Sequence, residues 1–129
     1  MRILYDGHEV RNGSCIHPRD AVPCVELQTR GWRRLYSMVM FDPDAVGGNK
    51  IHWLIVNMSR GGDSGRTLLP YVPPHPPPGS GVHRYIFWII EQDHRIVHHP
   101  RLSNRFIEIP ILFSILGATK VVESFFFVE

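Results

Sequence analysis

Cysteine is scarce in this chain: there are two in 129 residues, and Cys15 and Cys24 fit no metal-ligand spacing. That argues against a disulfide-stapled fold and a zinc module, and in a reducing compartment two such thiols are expected to be buried, inert and unbridged. Lysine is nearly missing, because twelve of the fourteen basic residues are arginines; against twelve acids the formal net charge is only +2. Without a basic excess to drive counterion release, a nucleic acid is not expected as partner. Arginine still suits forked contact with a single phosphate or carboxylate. No stretch has the unbroken apolar length of a bilayer span, and Met1-Arg2-Ile3-Leu4-Tyr5-Asp6 meets an acid too soon for a secretory core. A cytosolic location without a membrane span is the expectation, under which the sequons Asn12-Gly13-Ser14 and Asn57-Met58-Ser59 are chance matches. Long amphipathic helices are also lacking, since eleven glycines and eleven prolines interrupt nearly every window.

What the chain does have is short apolar runs rich in Val, Ile, Phe, Tyr and Trp: Val25 to Thr29, Leu35 to Phe41, Ile51 to Met58, Arg84 to Gln92, Phe106 to Leu116 and Val121 to Val128. Their length and β-branched or aromatic character favour strands, and glycine- and proline-rich turns separate them. Pro110 makes the Phe106 to Leu116 run an expected edge strand or a bulged pair of short strands. The chain is long enough for one core, so a single domain over residues 1–129 is expected, all-β, as an antiparallel two-sheet sandwich with few or no helices. Alternation sets His52, Leu54, Val56 and Met58 against Trp53, Ile55 and Asn57, and His83, Tyr85, Phe87 and Ile89 against Arg84, Ile86, Trp88 and Ile90. Neither face of either segment is mainly polar, which places both strands mid-sheet.

Polar groups gather at the ends of these segments. Asp42 and Asp44 flank Pro43 after one strand, while His52 and His83 stand at the starts of two others. Taken singly, an Asp beside Pro caps a turn and a strand histidine is a satisfied core residue. Together they define a candidate pocket in which Asp42 orients an imidazole and favours its protonated form as a donor to an anion. Asp44 is assigned to the loop. Gly79 and Gly81 let backbone approach a ligand closely, with amides able to share an anion's charge, and Tyr85 adds a phenol on the face of His83.

The ordered blocks Asp42-Pro43-Asp44-Ala45, His52-Trp53, the proline stretch Pro73 to Pro78 and Gly81-Val82-His83-Arg84-Tyr85, followed by Glu91-Gln92, resemble the phosphatidylethanolamine-binding protein family, which includes the Raf-kinase-inhibitor proteins. The resemblance covers about Trp32 to Gln92. It implies a large antiparallel sheet packed on a smaller one with peripheral helices, and a small cavity around Asp42, His52 and His83, with Tyr85 beside them, for a phosphate or carboxylate such as a phospholipid headgroup. It also implies a signalling partner such as a protein kinase. Against the family pattern, the loop Val46 to Lys50 is short, His75 occupies a position usually small and can narrow the entrance or touch ligand, and a strand ending in Phe125-Phe126-Phe127 replaces the usual final helix. Three consecutive phenylalanines cannot share one face, so an exposed apolar patch suited to a homodimer or a protein partner is expected.

Other constellations carry less. Gly62-Asp63-Ser64-Gly65 matches a serine-protease nucleophile loop over only four residues, and His98-His99 would diverge in a strand. Asp42 with His52 and His83 has the ligand types of a metal site, but Lys50 and Arg84 add positive charge nearby. The expectation is a non-catalytic binding protein without metal or cofactor. The alternatives are an interaction protein acting through its C-terminal surface and, behind it, a metal-assisted hydrolase.

Overall fold

The structure, a computed structural model, describes residues 1–28, 34–59, 65–97 and 102–129. Among the described residues the strands are β1 (Arg2–Tyr5), β2 (His8–Glu9), β3 (Cys24–Glu26), β4 (Leu35–Asp42), β5 (Lys50–Met58), β6 (Arg66–Leu69), β7 (Arg84–Gln92) and β8 (Ala118–Val128), with one helix, α1 (Ile109–Leu116), between the last two strands. A five-stranded antiparallel sheet in the order β6-β5-β4-β7-β8 faces a three-stranded antiparallel sheet in the order β2-β1-β3. The expected two-sheet β architecture is the one found. Trp32, the end of the Val25 to Thr29 run, Asp63, Ser64, His98 and His99 lie outside the described residues.

The large sheet is covered on both faces. On one, Ile3, Tyr5 and Val10 pack on Met40, Tyr85, Phe87, Phe125 and Phe127. On the other, Leu112 and Leu116 of α1, with Ile96 and Ile107, pack on Val39, Phe41, Leu54 and Ile90. That is why seven of the eight residues of β4 are buried and why its sequence is an apolar run rather than an alternation.

Two expectations change. The run around Pro110 is a helix over Ile109–Leu116, not an edge strand. Proline is harmless in the first helical turn, where its missing N–H would have no partner, and Gly117 closes the helix in the left-handed conformation at φ 56°. Proline just inside and glycine just past a segment is a helix signature, and Leu112 and Leu116, four apart, are the buried pair. Cys15 and Cys24 are free but exposed rather than buried. Cys24 begins β3, an edge of the small sheet.

The hairpin β1–β2 turns on Asp6-Gly7, both at positive φ, with Tyr5 paired to His8. Asp-Gly is a strong two-residue hairpin signal, left unread in the sequence because the strands beside it are so short. At the other end of the chain, Phe125 and Phe127 are buried and Phe126 is 38% exposed, its ring beside Gly13. Segment 12–16 runs along β8, through Gly13 N–H to Phe126 O at 2.7 Å, Val128 N–H to Ser14 O at 2.9 Å and Ile16 N–H to Val128 O at 3.0 Å. The outer edge of β8 is therefore occupied there. Asn57 is buried at φ 59°, its amide bonded to Ile96 O at 2.9 Å and to the Gln92 side chain at 3.0 Å, so this sequon asparagine is a core clamp.

Candidate functional site

The site begins with a β-bulge. Met40 pairs with Trp53 and Phe41 with Ile51, which leaves His52 as an extra residue in β5. A bulge breaks the two-residue alternation and re-aims the side chain it carries. His52 is thereby put on the side of Trp53 and Tyr85, away from Leu54 and Val56 with which alternation grouped it; its ring meets Tyr85 edge-on at 5.3 Å. Asp42 ends β4 two residues beyond Met40, and His83 precedes β7, so the three elements deliver their polar ends to one corner of the sheet.

Asp42 and His83 form a buried pair, Oδ2 to Nδ1 at 2.6 Å, with side chains 3% and 2% exposed. The other Asp42 oxygen accepts the Asp44 N–H at 2.7 Å, closing an Asx turn. Asp44 itself clamps the loop: its carboxylate accepts the Arg84 N–H at 2.9 Å and the guanidinium at 2.8 and 2.9 Å. Those bonds from Arg84 hold the Asp44 carboxyl below its ordinary pKa.

The second nitrogen of His83, Nε2, lies 2.8 Å from Ser80 Oγ, which also donates to Pro77 O at 2.6 Å. A hydroxyl has one proton to give. When it goes to Pro77, both His83 nitrogens are donors and the ring is an imidazolium facing a carboxylate; when it goes to Nε2, the ring is neutral. Either way both nitrogens are engaged within the protein, and an anion reaches Nε2 only by displacing Ser80.

His52 is arranged differently. Its Nδ1 lies 2.8 Å from Val72 O, and since a carbonyl only accepts, Nδ1 carries the proton. Burial lowers the His52 pKa, opposed by the bond to Val72 and assisted by Lys50 and Arg105. The neutral ring turns a lone pair out at Nε2 and becomes a second donor only on protonation. The expected Asp–imidazole partnership thus falls on His83, while His52 tends to the neutral form.

Around these groups lies a cavity of about 110 Å³ lined by Asp42, His52, His83, Tyr85, His75 and Lys50, with Val46, Pro76, Pro77 and Phe106 among its apolar walls. Tyr85 is 1% exposed and stacks on Phe127 at 5.3 Å; burial, then the Asp42 charge, pushes its phenol well above the ordinary value, so it is an O–H donor at any physiological pH. His75 stands at the rim, 2.9 Å from Asp20, with its side chain 70% exposed. Gly79 and Gly81 are outside the lining. Their positive φ values, 79° and 86°, shape the turn that carries Ser80 to His83. Among the described residues no carboxylate pairs with the Lys50 ammonium, and no three His, Cys, Asp or Glu side chains stand close enough to hold a metal.

Sequence reasoning passed over three residues of this corner. Lys50 was counted only as nearby charge, though two residues before His52 on a strand is near enough to share a pocket. Ser80 lies three before His83, a spacing that lets a turn bring hydroxyl to imidazole. Phe106 has no local signal, because it arrives through a bridge to Lys50, 56 residues away in sequence.

A two-sheet β fold with a small polar cavity at one corner defines the class, and comparison fixes the family. The family model for phosphatidylethanolamine-binding protein matches residues 10–122, and the chain belongs to that family. It is 29% identical over 115 residues to Protein TERMINAL FLOWER 1 of Arabidopsis thaliana, covering 81% of this chain and 64% of that protein. It is 32% identical over 107 residues to Protein MOTHER of FT and TFL1 homolog 2 of Oryza sativa subsp. japonica, covering 75% of this chain and 60% of that one. The matched region is thus less than two thirds of the length of these relatives. Among solved structures, a phosphatidylethanolamine-binding protein from Plasmodium vivax superposes with a TM-score of 0.74 at 20% identity, over 98% of this chain and 82% of that one. A carboxypeptidase Y inhibitor, crystallised with its cognate proteinase, gives 0.76 at 18% identity over 98% and 80%. At that identity both likenesses show the fold.

Proposed function

We propose that this chain is a non-catalytic binding protein whose cavity holds a small phosphorylated or carboxylated group, such as a phospholipid headgroup, and that it regulates a signalling partner such as a protein kinase in the cytosol. The observation that carries the ligand reading is the convergence of Lys50, His52, His83 and Tyr85, from separate elements, on one cavity of about 110 Å³. That is small beside the roughly 300–1,000 Å³ of sites for drug-sized molecules, and suited to a headgroup. Both Asp42 oxygens are held by bonds to Asp44 and His83, so its carboxylate is fixed in the wall rather than free to turn on a ligand. Lys50 supplies the counter-charge, Tyr85 an O–H donor, and His52 a second N–H once an anion favours its protonation. Family membership supports the regulatory role.

Isothermal titration with methyl phosphate tests this. Replacing Lys50 by Gln removes a unit charge from the wall and is expected to weaken binding about tenfold, the effect of one charge at a few ångströms in a partly screened site. Sulfate, whose charge is constant between pH 5 and 8, should bind more tightly toward the acid end as His52 gains its second proton. Wild-type affinity retained in Lys50→Gln, with sulfate binding flat across pH, would sink the reading.

A further inference from the structure

The cavity has room for a compact oxyanion and little more, so whatever the anion is attached to leaves through the mouth. Val46 and Phe106 stand there, 71% and 42% exposed. Phe106 also lines a second hollow, of about 290 Å³, with Leu102, Ile107, Ile111 and Ile115 as its apolar walls and Ser103, Asn104 and Glu108 as its polar ones. On α1, Leu112 and Leu116 turn into the core, while Ile111, 57% exposed, and Ile115 share the outer side one helical turn apart. A lone exposed apolar side chain is ordinary; a mainly apolar hollow that shares the Phe106 wall with a polar cavity calls for an occupant.

The backbone that carries the ring shared by the two hollows is firmly placed. Phe106 bridges Lys50, Ile51 N–H donates to Arg105 O at 2.7 Å, and Asn104 Oδ1 accepts the Phe106 N–H at 3.0 Å. The Arg105 guanidinium donates to Pro70 O at 2.9 Å and to Ile51 O and His52 O at 3.2 and 3.3 Å, locking this segment to the strand that carries His52.

We infer that the Phe106–Ile111–Ile115 hollow is a subsite for a single hydrocarbon chain, belonging to the same molecule whose anionic head fills the cavity. The ligand class is then a single-chain alkyl or acyl phosphate taken up as a monomer. This rests on the anion reading of the cavity. A protein partner could also cover an apolar surface, but two hollows sharing one aromatic wall favour a ligand with charge and chain in one molecule.

Titration with methyl, butyl and hexyl phosphate, below the concentrations at which they aggregate, tests it. Full burial of a methylene strengthens binding about fourfold; in a half-open groove, hexyl phosphate should bind at least about tenfold more tightly than methyl phosphate. Ile111→Asn changes an exposed residue in the first helical turn, where a polar side chain is tolerated, and its melting temperature serves as the folding control. It should remove most of the chain-length gain and leave methyl phosphate binding as in the wild type. Equal affinity along the series overturns the chain subsite and leaves the anion cavity standing. A gain that survives Ile111→Asn, or an equal loss for all three ligands, also overturns it, and no binding of any member overturns both readings.

Discussion

Removing the Asp42 carboxylate should expose how much the buried pair with His83 holds. In Asp42→Ala the His83 Nδ1–H loses its acceptor at a site where the ring is 2% exposed and water has little access. Leaving a buried donor unsatisfied costs about 1–3 kcal/mol, more if the ring is charged, and loss of the Asx bond to Asp44 adds about 1 kcal/mol. The sum, about 2–4 kcal/mol, overlaps the roughly 3–5 kcal/mol that breaking one side of a buried pair usually costs. For a chain of this length about 4 °C of melting temperature accompanies each kcal/mol, so a fall of about 8–16 °C is expected. Asp42→Asn keeps an acceptor for Asp44 and should lose less than half as much. A thermal or urea double-mutant cycle with His83→Leu isolates the pairing. With both partners gone neither member of the pair is left orphaned, so the double variant should be more stable than additivity predicts by at least about 1 kcal/mol. Additive losses, or Asp42→Ala within about 1 kcal/mol of wild type, would refute the argument, and with it the claim that Asp42 fixes the His83 ring.

His52 gives a pH signature. Burial lowers its folded-state pKa below the unfolded value, so the unfolded chain takes up a proton first as pH falls. Its contribution is present above the unfolded histidine value, about 6.5, and is lost as pH falls from there through the folded value. Urea titrations at pH 7.5 and 5.5 should show a loss on acidification that shrinks in His52→Phe; an unchanged difference would count against the buried, neutral ring. Gly65→Ala should destabilise by at least about 2 kcal/mol, because residue 65 sits at φ 84° and a Cβ there would collide with the Val56 carbonyl oxygen. Urea denaturation measures it, and a loss under about 0.5 kcal/mol would contradict the placement of residue 65 against β5.

Legibility followed burial. β4, β5 and β7 were readable because both faces of the large sheet are covered, leaving unbroken runs of β-branched and aromatic residues. The Ile109–Leu116 helix was misread because Pro110 weighs against a strand centre and a helix interior alike, and only its place in the first turn reconciles it with helix. The site was legible as a set of residues but not as a geometry. Asp42, His52, His75, His83 and Tyr85 do line one cavity, whereas Gly79 and Gly81 build the turn beside it.

By itself the amino-acid sequence determined the β character, the strands that cross the core and the residue types available to line a polar cavity. These follow from local composition, which sets what each segment can bury. Tertiary structure alone decided which imidazole Asp42 holds, that a bulge turns His52 toward Tyr85, and that Lys50 and Phe106 complete the cavity. Those outcomes depend on register between strands and on contacts between residues tens of positions apart, quantities that no local window of a chain contains.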